Sequence, residues 1–165
     1  MIVRPVREAE YEALGDLTVA AYRAIPDVPH EATDGYEDEL RAVARRVKVG
    51  AEVVVAVSDG GVLLGGVTYV PDHTNELAEF DDPDAAGIRM LAVDPGHQRT
   101  GAGTALTTWC VDRARATGRT RIILHTIKWM TTAHRIYERG GFERTTALDW
   151  EPFPGFLLMA FVKEL

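Results

Sequence analysis

The chain has one cysteine, Cys110, among its 165 residues, so no disulfide can form within it. That agrees with a reducing compartment, and the expected location is the cytoplasm. No apolar run approaches the roughly 20 residues of a membrane-spanning helix, and the opening MIVRPVREAEYEAL lacks the apolar centre of a secretory leader. Positive charge is in the minority, with 18 Lys and Arg against 25 Asp and Glu, a net charge of −7. Nothing there suggests a nucleic-acid footprint, and a neutral or cationic small-molecule partner fits better. Metal-binding spacings are missing too. The five histidines form no H-E-x-x-H pair, and DDPDAAG lacks the third acid and closing glutamate of a calcium loop, so no metal site is expected.

What is present is a regular alternation of patterned segments, without repeats or a dividing linker. MIVRPVRE reads as an opening strand, and Tyr11, Leu14, Leu17, Thr18, Ala21 and Tyr22 recur at helical spacing. AIPDVPHEATDG breaks that helix, and Tyr36, Leu40, Val43, Ala44 and Val47 predict a second amphipathic one. EVVVAV and VLLGGVTYV form a hairpin across an Asp-Gly turn. An acidic loop, PDHTNELAEFDDPDAAG, precedes the buried strand IRMLAV; its length points to function or disorder. Ala102, Leu106, Trp109, Cys110 and Ala114 share one face of a further helix, and RIILHT is a strand. TTAHRIYERGG is a short helix with Thr131 or Thr132 as its N-cap and Gly140-Gly141 as its stop. GFERTTALDW and FLLMAFV close the chain as two strands. This order suggests a mixed sheet flanked by helices, parallel only across the crossover between IRMLAV and RIILHT if those strands are neighbours.

The Gly-rich turn between IRMLAV and its helix, DPGHQRTGAGTAL, has the composition of a phosphate-binding loop. A Walker A loop fails because Ala102 stands where its lysine is needed, and a dinucleotide fingerprint fails because Leu106 takes the third glycine position. The pattern Q/R-x-x-G-x-G/A is met in full by Gln98, Arg99, Thr100, Gly101, Ala102 and Gly103. Glycines there let phosphate approach the backbone, where successive N–H groups and the helix dipole hold it; a tight turn alone would also use them.

Together with the downstream A-x-x-x-Y-x-x-x-G-F pattern of Ala133, Tyr137, Gly141 and Phe142, this stretch resembles the GNAT superfamily of acyl-CoA-dependent N-acyltransferases. The resemblance implies an α+β fold, a mixed, largely antiparallel sheet of about seven strands flanked by about four helices, as one domain over residues 1–165. It implies acetyl-CoA as acyl donor and direct attack by a primary amine in a ternary complex. Leu91, Ala92 and Val93 would contact the pantetheine through their backbone. Gln98, Arg99, Thr100, Gly101, Ala102, Gly103 and Thr104 would hold the pyrophosphate. Tyr137 would be the general acid, its phenol of pKa about 10 donating to a thiolate of about 8.5; by spacing alone it reads as core. Two positions depart from the family pattern. Met130 replaces a pantetheine-binding asparagine, so that contact is either missing or taken over by Thr131 or Thr132, and Gly87 stands where some members have a glutamate base.

A base is needed because an amine of pKa about 10.4 is almost wholly protonated at neutral pH. Glu79, Asp81, Asp82, Asp84, His30 and an ordered water are the candidates. The break between Tyr22 and Tyr36 reads as the acceptor wall, with Tyr22, Asp27, Tyr36 and Glu79 as candidate substrate contacts, and Trp129 and Met130 near the acyl channel. Each of these side chains also has an ordinary reading as packing or solvated charge. The expected partner is a small-molecule amine, with no nucleic acid and no membrane, and the chain a monomer or homodimer. The alternative is a non-catalytic acyl-CoA-binding sensor or interaction module on the same fold.

Overall fold

The computed structural model describes residues 1–29 and 35–165. Its seven strands are β1 Ile2–Pro5, β2 Glu52–Val57, β3 Leu63–Val70, β4 Ala85–Val93, β5 Arg121–Thr126, β6 Glu143–Arg144 and β7 Met159–Glu164. They form one sheet in the order β1-β2-β3-β4-β5-β7-β6, antiparallel throughout except between β4 and β5. A parallel pair needs a long crossover, and helix α4, Ala102–Ala116, supplies it. The other helices are α1 Tyr11–Arg23, α2 Glu37–Arg41, α3 Val43–Lys48 and α5 Thr131–Arg139. The result is the mixed, largely antiparallel α+β sheet expected from the sequence.

The unbroken apolar run of β2 has a simple cause. Val54 and Ala56 face a core shared with Leu106 and Cys110 of α4, while Val53, Val55 and Val57 face Leu14 of α1 and Val43 of α3. Both faces of the sheet are covered, so both sets of alternating positions must be apolar. Among the described residues no helix is long and apolar enough to cross a membrane.

Three local expectations are corrected. The helix predicted from Tyr36 to Val47 is interrupted at Ala42, whose ψ of 51° leaves the helical region. Its two pieces serve different cores: Leu40 packs with Val19 and Met90, Val43 with Leu14 and the β2 valines. The N-cap of α5 is Met130, and neither Thr131 nor Thr132 caps it. GFERTTALDW is mostly not strand. Only Glu143–Arg144 pairs with β7, because Arg144 grips Asp149 with both guanidinium nitrogens and Asp149 accepts from the Ala160 N–H at 2.9 Å, folding the segment back.

Candidate active site

The sheet opens in the middle. β4 and β5 pair only from Ala85↔Arg121 to Ile88↔Leu124; past Ile88, β5 stays on β7 while β4 stays on β3. A β-bulge lies at the same point. Gly66 pairs with Ala92 but Thr68 with Arg89, so β4 carries one extra residue, and Met90 sits there at φ 53°. Bulges bend the strand that carries them, and here the bend leaves Leu91, Ala92 and Val93 without a strand on the β5 side.

At the mouth of this split the chain turns into α4. The Asp94 carboxylate accepts from the Gly96 N–H at 2.7 Å, and the Thr100 hydroxyl donates to the His97 carbonyl at 2.9 Å. Arg99 and Gly101 then take left-handed conformations, φ 63° and 86°. Among the described residues, the N–H groups of Gln98, Arg99, Thr100, Gly101, Ala102 and Gly103 have no acceptor; the first bond of the helix ladder is Ala105 N–H to the Gly101 carbonyl. Gln98, Arg99, Thr100, Gly101 and Thr104 are exposed. Six free amides at the positive end of a 15-residue helix make an anion site. The two glycines serve different ends. Gly101 supplies the positive φ, whereas a Cβ on Gly103 would lie 2.9 Å from Ile136 Cδ1, so Gly103 lets α4 and α5 pack closely.

Helix α5 brings Tyr137 into the core cluster that holds Ile88 and Leu124, the last pair before the split. Its ring is 5% exposed and packs on Phe142 and Phe161. Burial, reinforced by Cys110, pushes its phenol well above the ordinary value, so it keeps its proton. The hydroxyl makes no hydrogen bond among the described residues.

A cavity of about 420 Å³ is walled by Tyr22, Tyr36, Met90, Ile127, Met130, Trp150, Phe153, Phe156 and Leu158. Its polar floor is Glu79, Arg89, His125 and Thr126. Arg89 pairs with Glu79 at 2.9 Å and donates to the Leu77 carbonyl and the Tyr36 hydroxyl at 3.3 and 3.4 Å. Burial opposes the Arg89 charge, but Glu79 and Tyr36 outweigh it and hold its pKa above the usual value. His125 Nε2 lies 3.0 Å from the Leu148 carbonyl, which fixes its proton there, and Nδ1 lies 3.6 Å from Glu79. Burial raises Tyr22 and Tyr36, so both hydroxyls stay protonated donors.

Of the candidate acceptor contacts, the fold brings Tyr22, Tyr36 and Glu79 together and leaves Asp27 out; Asp27 is exposed on a turn at φ 62°. Among the candidate bases, Asp82 pairs with Arg121, Asp81 and Asp84 are exposed, and His30 lies outside the described residues. Position 87 has no room for a side chain, since a Cβ there would lie 2.6 Å from the Phe80 ring. Met130 lines the cavity, Trp129 stacks on Phe156, and Thr132 is exposed on the first turn of α5, outside the cavity. Sequence reading missed Arg89, His125, Trp150, Phe153 and Phe156. A charged residue inside the buried strand IRMLAV and a histidine inside RIILHT were the available signals for the first two.

The model of the acetyltransferase (GNAT) family matches residues 12–142, which include strands β2 to β5, the α4 loop and Tyr137. The chain belongs to the GNAT acetyltransferase family. It is therefore an acyltransferase. No curated protein matches the chain. Solved GNAT structures share its fold at low identity. The ribosomal-protein-alanine N-acetyltransferase of Brucella melitensis is 18% identical with a TM-score of 0.72, covering 100% of each chain. The paia N-acetyltransferase of Thermoplasma acidophilum, solved with coenzyme A, is 13% identical with a TM-score of 0.74, covering 99% of this chain and 98% of that one. Salmonella typhimurium yncA, solved with acetyl-CoA, is 19% identical with a TM-score of 0.72, covering 100% and 94%. Among the described residues no group of three or more His, Cys, Asp or Glu gathers as metal ligands would.

Proposed function

We propose that this protein transfers an acetyl group from acetyl-CoA to a primary amine by direct attack within a ternary complex. The observation that carries this reading is the row of six free amides at the head of α4, opening beside the split between β4 and β5. The amides take the pyrophosphate, and the free flank of Leu91, Ala92 and Val93 takes the pantetheine arm. The thioester then lies between Tyr137 and the aromatic cavity, from which the amine enters.

In the reaction the amine nitrogen attacks the thioester carbon and the C–S bond breaks. The departing thiolate takes the Tyr137 proton, which burial keeps in place and which no other group engages. The proton shed by the amine goes to Glu79, directly or through water, with His125 beside it. Glu79 is the candidate carboxylate that lines the cavity.

The test is thiol release from acetyl-CoA with a panel of amines, comparing wild type with Tyr137→Phe. Loss of a general acid lowers kcat by about 10²-fold or more, and acetyl-CoA affinity is expected to hold. Undiminished kcat in the Phe variant would remove Tyr137 from this role.

A further inference from the structure

The charges beneath the acceptor cavity do not cancel. Arg89 and Glu79 offset each other at 2.9 Å. Arg46, on α3, lies immediately behind the cavity-lining Met90 and is 1% exposed. Its Nη1 donates to the Thr68 hydroxyl at 2.9 Å and touches Met90 Sδ at 3.0 Å, and its Nη2 donates to the Leu40 carbonyl at 3.0 Å. Its Nε has no acceptor, and among the described residues no carboxylate lies within ion-pair reach. Glu39, whose charge it feels, is already paired with Arg45 at 2.9 Å. Two guanidinium groups thus stand against one carboxylate under an apolar pocket.

A buried cation whose contacts are all neutral leaves a positive potential that reaches several ångströms in a low-dielectric surround. Tyr22 and Tyr36, both cavity walls, pack with Met90, which Arg46 touches, and so lie within that reach. Above this floor the walls are aromatic: Trp150, and the stacked pair Phe153 and Phe156, 4.8 Å apart. The potential opposes a purely cationic guest, contrary to the expectation from the net charge of −7. It draws a guest that brings its own negative charge.

We propose, on the acetyl-transfer reading above, that the acceptor is an aromatic or bulky apolar amine that also carries a carboxylate. The ring lies among Trp150, Phe153 and Phe156. The carboxylate meets the Arg89 guanidinium and the Tyr22 and Tyr36 hydroxyls, over the charge of Arg46. The amine is left facing Glu79 and the thioester.

The measurement is thiol release from acetyl-CoA by the intact protein with four matched acceptors: phenylalanine, its amide, 2-phenylethylamine and alanine. Phenylalanine is expected to exceed each of the others in kcat/KM by about tenfold or more, the scale of one charged hydrogen bond or one buried ring. In Arg46→Met the ratio of phenylalanine to 2-phenylethylamine is expected to fall several-fold. A wild-type preference for the amide or for 2-phenylethylamine overturns the inference while leaving acetyl transfer intact, and so does an unchanged ratio in a folded Arg46→Met. Should that variant not fold, the wild-type ratios decide alone. Acetyl-CoA binding with no release for any amine overturns the function and this inference together.

Discussion

Glu79 occupies a position that only the folded chain explains. In the sequence it is one acid among several in a long loop, yet the fold sends the others elsewhere. Asp72, Glu76 and Asp82 face Arg119, Arg45 and Arg121, while Leu77 is buried and Phe80 covers Gly87. These anchors turn Glu79 inward onto Arg89 and His125. If it receives the amine proton, Glu79→Gln is expected to lower kcat/KM by about 10²-fold at neutral pH. The deficit should shrink as pH rises, because more of the amine then arrives neutral. A deficit constant across the pH profile would indicate a positioning role. Tyr137 differs in kind: its motif spacing is legible in the sequence, but its depth, its free hydroxyl and its raised pKa are not, because they depend on Phe142, Phe161 and Cys110.

Among the elements, the turn into α4 shows how one motif combines two requirements. Gly101 answers to backbone conformation and Gly103 to helix packing. Gly101→Ala is expected to lose about 1–2 kcal/mol from the left-handed backbone alone. At Gly103 the obstacle is the mobile end of Ile136, so Gly103→Ala should be nearly neutral, whereas Gly103→Val should cost about 1–3 kcal/mol and weaken acetyl-CoA binding. Urea unfolding of the three variants checks the order. A second junction ties β1 to α1: Arg4 donates to both Glu10 oxygens, at 2.9 and 2.6 Å, and Glu10 also accepts from the Arg7 N–H. The Arg4 hydrogen bonds hold the Glu10 carboxyl at about 2, below its ordinary value. A depressed carboxyl stabilises the fold above its unfolded pKa and ceases to do so as pH falls through the folded one. Glu10→Gln should therefore cost about 1 kcal/mol at neutral pH, with the gap to wild type closing between about pH 4.5 and 2.

At the scale of the whole molecule, the legible parts were the local ones. The β2–β3 hairpin, the α4 crossover and the phosphate turn each follow from residues adjacent in the chain, and their order alone predicts the mixed sheet. The aromatic cavity is assembled from α1, the acidic loop, β4, β5 and the approach to β7, so no run of sequence contains it. The bulge at Met90 was likewise unreadable, since a methionine at positive φ has no local signal and is held there by its packing against Val19 and Leu40. On the proposed function the two regions meet at the split of the sheet, the α4 amides taking the donor phosphates and the cavity the acceptor. The most direct test of that arrangement is calorimetric titration with acetyl-CoA and with S-acetylpantetheine, which keeps the thioester arm but lacks the pyrophosphate. Acetyl-CoA is expected to bind at least about tenfold more tightly, as charge-assisted bonds from backbone amides require. Equal affinities, or no heat from acetyl-CoA at millimolar concentration, would contradict the assignment of the α4 amides to the pyrophosphate.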